Sequence, residues 1–165
     1  MFELKAISAD AIPQALAKAE RYRLLNEPGQ AASICQDVLR VEPDNQQALI
    51  TLLLALTDEF DEVIDVGKAL DVVPRIQSEY ERAYYSGIIC ERQGKAHYQR
   101  GRHGCGVIAY DCLREAMRWY EQAEALRTPG NDDALLRWNT CARFLMAHPN
   151  VQPEPEEKAE PILSE

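Results

Sequence analysis

The chain has 165 residues, 46% of them hydrophobic, enough for one domain to bury a continuous core without disulfide or metal staples. Its net charge of -9 argues against general nucleic-acid binding, since attraction to phosphate needs a basic surface. Cys35, Cys90, Cys105, Cys112 and Cys141 are an odd number scattered through helical patterns, which argues against a disulfide framework and favours a reducing cytoplasm.

Residues 1–5 lack a basic region leading into an apolar stretch. The longest apolar run, 48–56, is broken by Thr51 and too short to span a bilayer, so the chain is expected to be soluble, neither exported nor membrane-embedded. Periodicity predicts helices over 11–25 and 30–41, separated by Asn26-Glu27-Pro28-Gly29, a turn with two strong helix breakers. Ala31, Ile34, Cys35, Val38 and Leu39 form a core-facing stripe on the second of these, and Pro43 ends it. Asp44-Asn45 then caps a third helix to about residue 56, apolar around most of its girth at Leu49, Ile50, Leu52, Leu53, Leu54 and Leu56. Such a helix belongs in the middle of a stack.

A fourth helix is expected over 60–72, stopping before Pro74, with Asp58, Glu59, Asp61 and Glu62 at its start, where carboxylates suit the helix dipole. From Gln77 a long helix carries Tyr80, Ala83, Tyr84, Gly87, Ile88 and Cys90, and its partner carries Ala116, Tyr120 and Ala123. Gly101, Gly104 and Gly106 mark the turn between them, while 91–98 and 107–113 keep helical patterns. After Pro129-Gly130-Asn131, a last helix over 132–147 bears Leu135, Leu136, Trp138, Leu145 and Met146 and is expected to seal the open end. Residues 149–165 hold Glu154, Glu156, Glu157, Glu160 and Glu165 against Lys158, with Pro153, Pro155 and Pro161. They read as a disordered acidic tail behind a domain of residues 1–148.

Across 12–45, Ala19, Tyr22, Ala31 and Pro43 fall at the small, aromatic, small and proline positions of a 34-residue helix-turn-helix unit. With Leu49, Leu52, Ala69 and Pro74 in a second unit, and Gly87, Ala116, Tyr120 and Ala123 in a third, the chain resembles the tetratricopeptide repeat family over roughly residues 12–147. It departs from the pattern at Ala15, where an aromatic is usual, at Cys35, where a large residue is usual, and at Leu53, where a small one is. The third hairpin is also about 17 residues longer than the unit. The resemblance implies an all-α fold, an αα-superhelix of about three helix-turn-helix repeats plus a C-terminal capping helix, with the third hairpin elongated.

It further implies a non-catalytic scaffold or adaptor without cofactors, whose concave groove holds a peptide or a helix of another protein. By that analogy the groove is lined by Leu16, Glu20, Arg23, Gln47, Ile50, Leu54, Glu81, Tyr84, Ile88 and Glu91. The carboxylate clamp of one subset of the family is absent, because Leu16, Glu20, Thr51, Glu81 and Tyr85 stand where Lys, Asn and Arg are needed. Small acidic members also act as chaperones for apolar secretion substrates, an alternative role. Homo-oligomers are a further expectation, since an exposed end of a repeat stack can pair with a copy of itself.

His97, His103 and Cys105, with Cys90 and Cys112, are zinc-binding residue types, yet no Cys-x-x-Cys or His-x-x-x-His pair occurs and no metal is expected. Gly101-x-x-Gly104-x-Gly106 follows no strand and lacks the Gly-Lys-Ser/Thr of a phosphate loop, so it reads as a turn. No serine is paired with a histidine at a suggestive spacing, and no enzyme is expected. Arg92, Lys95, Arg100 and Arg102, interleaved with His97, Tyr98 and His103, run against the charge of the whole, with Glu91 as the single acid. A solvated hairpin tip is the plain reading. The sharper one is an anion contact, which would make the chain an adaptor for a phosphopeptide or RNA.

Overall fold

The computed structural model describes residues 1–61 and 64–155, and every regular element among them is helical. In chain order these are α1 (Ile12–Leu24), α2 (Pro28–Val41), α3 (Gln46–Asp58), α4 (Val66–Val72), α5 (Glu79–Gln99), α6 (Cys105–Leu126) and α7 (Asp133–Ala147), with short 3-10 turns at Ala9–Ala11, Glu59–Asp61 and Val73–Arg75. Local chemistry sets their starts. Pro13 and Pro28 sit in first turns, where a missing N–H has no intrahelical partner to lose. The side chains of Asn45 and Ser78 accept from the N–H groups of Ala48 and Glu81, satisfying donors that helix geometry leaves unpaired.

Each helix packs on the next, α1 also touches α3, and α3 also touches α5. The α5–α6 hairpin is the most extensive pairing, with helices of 21 and 22 residues. Two glycines bring those arms together. A Cβ on Gly87 would lie 2.5 Å from Tyr120 Cε1, and one on Gly94 would lie 2.9 Å from Cys112 Cβ. At the hairpin tip Gly101 and Gly104 take φ of 60° and 77°, a left-handed conformation that only glycine adopts without cost.

The two proline-bearing turns are tied to each other. Arg75 donates to the Pro43 carbonyl at 2.7 Å, and the Gln77 N–H donates to Gln46 Oε1 at 2.8 Å. Buried residues form two clusters, one drawn from α1 to α4 and one from α5 to α7. Helix α5 joins them, giving Ile89 and Ala96 to the first and Ala83 and Ile88 to the second.

Three expectations need correction. The fourth helix begins at Val66 instead of residue 60: α3 runs on through Asp58, Phe60 is buried in the first core, and the chain must leave that anchor before a helix can restart. Asp58 thus stands at the C-terminal end of α3, not at a helix start, and Glu62 lies outside the described residues. On α7, Ala134 and Cys141 are the buried residues, whereas Leu136 and Met146 are exposed, so the expected seal is partial. Finally, Val151 is only 4% exposed and belongs to the second core, which carries the folded body past residue 148. Of the expected tail, residues 156–165 lie outside the described residues.

Candidate functional site

Side chains of α1, α3 and α5 meet along one face, where polar groups bridge neighbouring helices. At its edge Gln47 donates to Glu20 at 3.4 Å. Farther along, Arg23 Nε donates to Asp58 Oδ2 at 2.7 Å, and Arg92 donates to the other oxygen of the same carboxylate. Arg92 also donates to Thr57 Oγ1 at 2.7 Å and to the Leu54 carbonyl at 3.1 Å. Two guanidinium groups therefore neutralise one carboxylate placed at the unfavourable, negative end of a helix dipole. Arg23, Asp58 and Arg92 are 22%, 23% and 26% exposed, so water, or a ligand, reaches the cluster.

Around it opens a cleft of about 350 Å³ whose walls include Arg23, Leu24, Asp58, Phe60, Arg92 and Lys95. Lys95, one of these lining residues, also belongs to a second charge cluster. The Glu91 carboxylate, 1% exposed, accepts from the Tyr120 hydroxyl at 2.6 Å, from Lys95 at 2.6 Å and from Arg137 at 3.4 Å. Burying a carboxylate is costly unless it is paired and hydrogen-bonded, and these partners come from α5, α6 and α7. Burial, and then the adjacent Glu91, push the Tyr120 hydroxyl far above its ordinary range, so it acts here as a fixed hydrogen-bond donor. An aromatic patch adjoins. Tyr84 stacks on Tyr80 at 5.9 Å and meets Tyr85 edge-on at 5.2 Å.

Of the residues expected to line a groove, Leu16, Ile88 and Glu91 are core and present no surface. Glu20 and Gln47 are exposed, and Arg23, Ile50, Leu54, Glu81 and Tyr84 are half-buried, which leaves Ile50, Leu54 and Tyr84 as the apolar part of the face. Of the expected anion contacts, Arg92 and Lys95 border the cleft beside Arg23; Arg100 is exposed and donates to the Phe60 carbonyl at 3.4 Å, and Arg102 is exposed at the hairpin tip. Sequence reasoning missed Thr57, Asp58, Tyr120 and Arg137. Spacing carries no signal for Asp58 or Arg137, because their partners lie 34 to 46 residues away.

All five cysteines are free thiols. Burial pushes the Cys35 thiol up to about 11 and those of Cys90 and Cys141 up to about 12, which disfavours the nucleophilic thiolate. Among the described residues, no three His, Cys, Asp or Glu side chains converge as a metal site, and no helix is long and apolar enough to cross a membrane. Set against family models, curated proteins and solved structures, the chain matches none.

Proposed function

We propose that the chain is a non-catalytic interaction module of the tetratricopeptide kind, working in a reducing cytoplasm and holding a peptide or a helix of another protein across α1, α3 and α5. The observation that carries this reading is the cleft lined by Arg23, Thr57, Asp58, Arg92 and Lys95 of those three helices, which also carry half-buried Ile50, Leu54 and Tyr84. Mixed apolar and charged lining suits a peptide, whose side chains need anchors and whose backbone and charges need polar partners. The contacts of α1 with α3 and of α3 with α5, the close approach at Gly87 and the linked turns at Pro43 and Pro74 support a superhelix of about three repeats.

Display of random peptides against the intact chain tests the idea. Selected peptides should bind, and Tyr84→Ala and Ile50→Glu should each weaken binding at least about tenfold, the loss of roughly 1.4 kcal/mol expected for an anchor residue. Peptides that bind both variants as tightly as the parent would sink the reading. A second reading, an anion-binding adaptor, draws on Arg92 and Lys95 standing at the cleft with Arg23. It requires affinity to fall steeply with salt, which an apolar anchor does not.

A further inference from the structure

We propose that residues 1–5 form an arm that lies in a groove between α1 and α2 of a second copy of this chain, reciprocally, so that two copies exchange arms about a two-fold axis. This groove, of about 300 Å³, is apolar at Ile7, Ala11, Ala15 and Ile34, with Lys18 and Asp37 as its charged members. It shares no lining residue with the cleft described above, so the pairing stands apart from the function proposed there.

The arm itself points to the occupant. Residues 1–8 have no regular structure, and Phe2 and Leu4 alternate with Glu3 and Lys5, so an extended backbone puts apolar side chains on one side and charges on the other. Phe2 is fully exposed and Leu4 is 72% exposed, so neither is buried by its own chain. Direction keeps them out of their own groove. Ile7 already lines that groove, and the Leu4 carbonyl accepts from Arg40 at 3.5 Å, one turn past Asp37 toward the end of α2. The arm therefore leaves at one end, and a return would break this contact and reverse the chain within residues 5–6. A second copy meets no such constraint.

Charge and length fit the exchange. Among the described residues Glu3, Lys5 and Lys18 form no ion pair, and Asp37 has only Arg40, at 3.9 Å. Glu3 of one copy can meet Lys18 of the other while Lys5 meets Asp37. Six extended residues reach roughly 20 Å, twice the roughly 10 Å that α1 rises from Ala11 to Lys18. Each copy offers one arm and one groove, so the contact is the same from both sides and closes at two copies instead of growing into a fibre.

Sedimentation equilibrium of the intact chain, from low to high micromolar concentration, tests it. The mass should rise toward that of two chains. Phe2→Glu and Leu4→Glu replace exposed residues, so both variants should keep the parent circular dichroism spectrum while raising the dimer dissociation constant at least about tenfold, because each withdraws a large apolar side chain from the groove. Glu3→Lys or Lys18→Glu alone should weaken the dimer a few-fold, and the two together should restore it. Zero-length carbodiimide coupling in an equal mixture of heavy-nitrogen-labelled and unlabelled copies should yield Glu3–Lys18 peptides of mixed label. The mass of one chain at every concentration would leave the groove to some other protein and overturn the proposal. So would an unchanged dimer in the Phe2 and Leu4 variants, or Glu3–Lys18 peptides of matched label only, the mark of an arm filling its own groove.

Discussion

Glu91 and Gly87 lie one helical turn apart on α5 and both address Tyr120, the first through its hydroxyl and the second through its ring. Enlarging Gly87 therefore strikes the ring that positions the buried hydrogen bond. We expect Gly87→Ala to lose about 1–3 kcal/mol of stability, the usual range for overpacking, although alanine is the better helix former. Urea unfolding measures it, and a neutral result would mean that the helices do not approach closely here. The raised thiol and phenol groups predict a pH dependence with a definite sign. Cys35, Cys90, Cys141, Tyr85 and Tyr120 keep their protons in the folded chain above 9.0 for thiols and 10.0 for phenols, where the unfolded chain releases them. The unfolded state then binds fewer protons, so stability is complete below about pH 9 and falls as pH rises toward 12. Urea midpoints at pH 7, 9 and 10 should decline in that order; a flat series would contradict the burial of these groups.

At the scale of elements, the Val151 anchor separates two truncations. Ending the chain after Pro149 removes a buried valine and uncovers the α6 start, which should lower stability by about 1.5 kcal/mol or more and the melting midpoint by several degrees. Ending it after Pro155 leaves that contact intact and should shift the midpoint far less. Equal midpoints for the two would show that Val151 carries no stabilising burial. The same elements show why some features are legible in the sequence. The helix start capped by Asn45 and the long glycine-turned hairpin follow from chemistry within a few residues and could be read off, whereas Pro28 and Gly29, read as a turn, open α2, where a proline suits the first turn. The face of α5 could not: it feeds two cores, and both of its sides carry buried residues. Glu91 reads as a solvated groove residue until Tyr120 and Arg137, 29 and 46 positions away, are brought to it. Val151 is a single apolar residue between Pro149-Asn150 and Gln152-Pro153, and its burial depends on the gap left by Gly106.

For the whole molecule, α5 contributes to both cores, and we expect this to make them one cooperative unit. Both tryptophans, Trp119 and Trp138, pack against the second core, whereas far-UV circular dichroism reports all helices. Unfolding followed by tryptophan fluorescence and by circular dichroism should give coincident midpoints, the mark of a two-state transition. Separated midpoints would show that α1 to α4 unfold on their own.

The shared helix also bears on how occupants of the cleft can be found. Arg92 and Lys95 lie on α5, so with the two halves unfolding together, mass action passes the binding free energy of a molecule seated there to the entire chain. A ligand at a hundred times its dissociation constant would add about 2.7 kcal/mol. The melting curve of the unlabelled protein is therefore a general detector, able to rank peptides, phosphopeptides and anions before any of them has been identified as the natural partner.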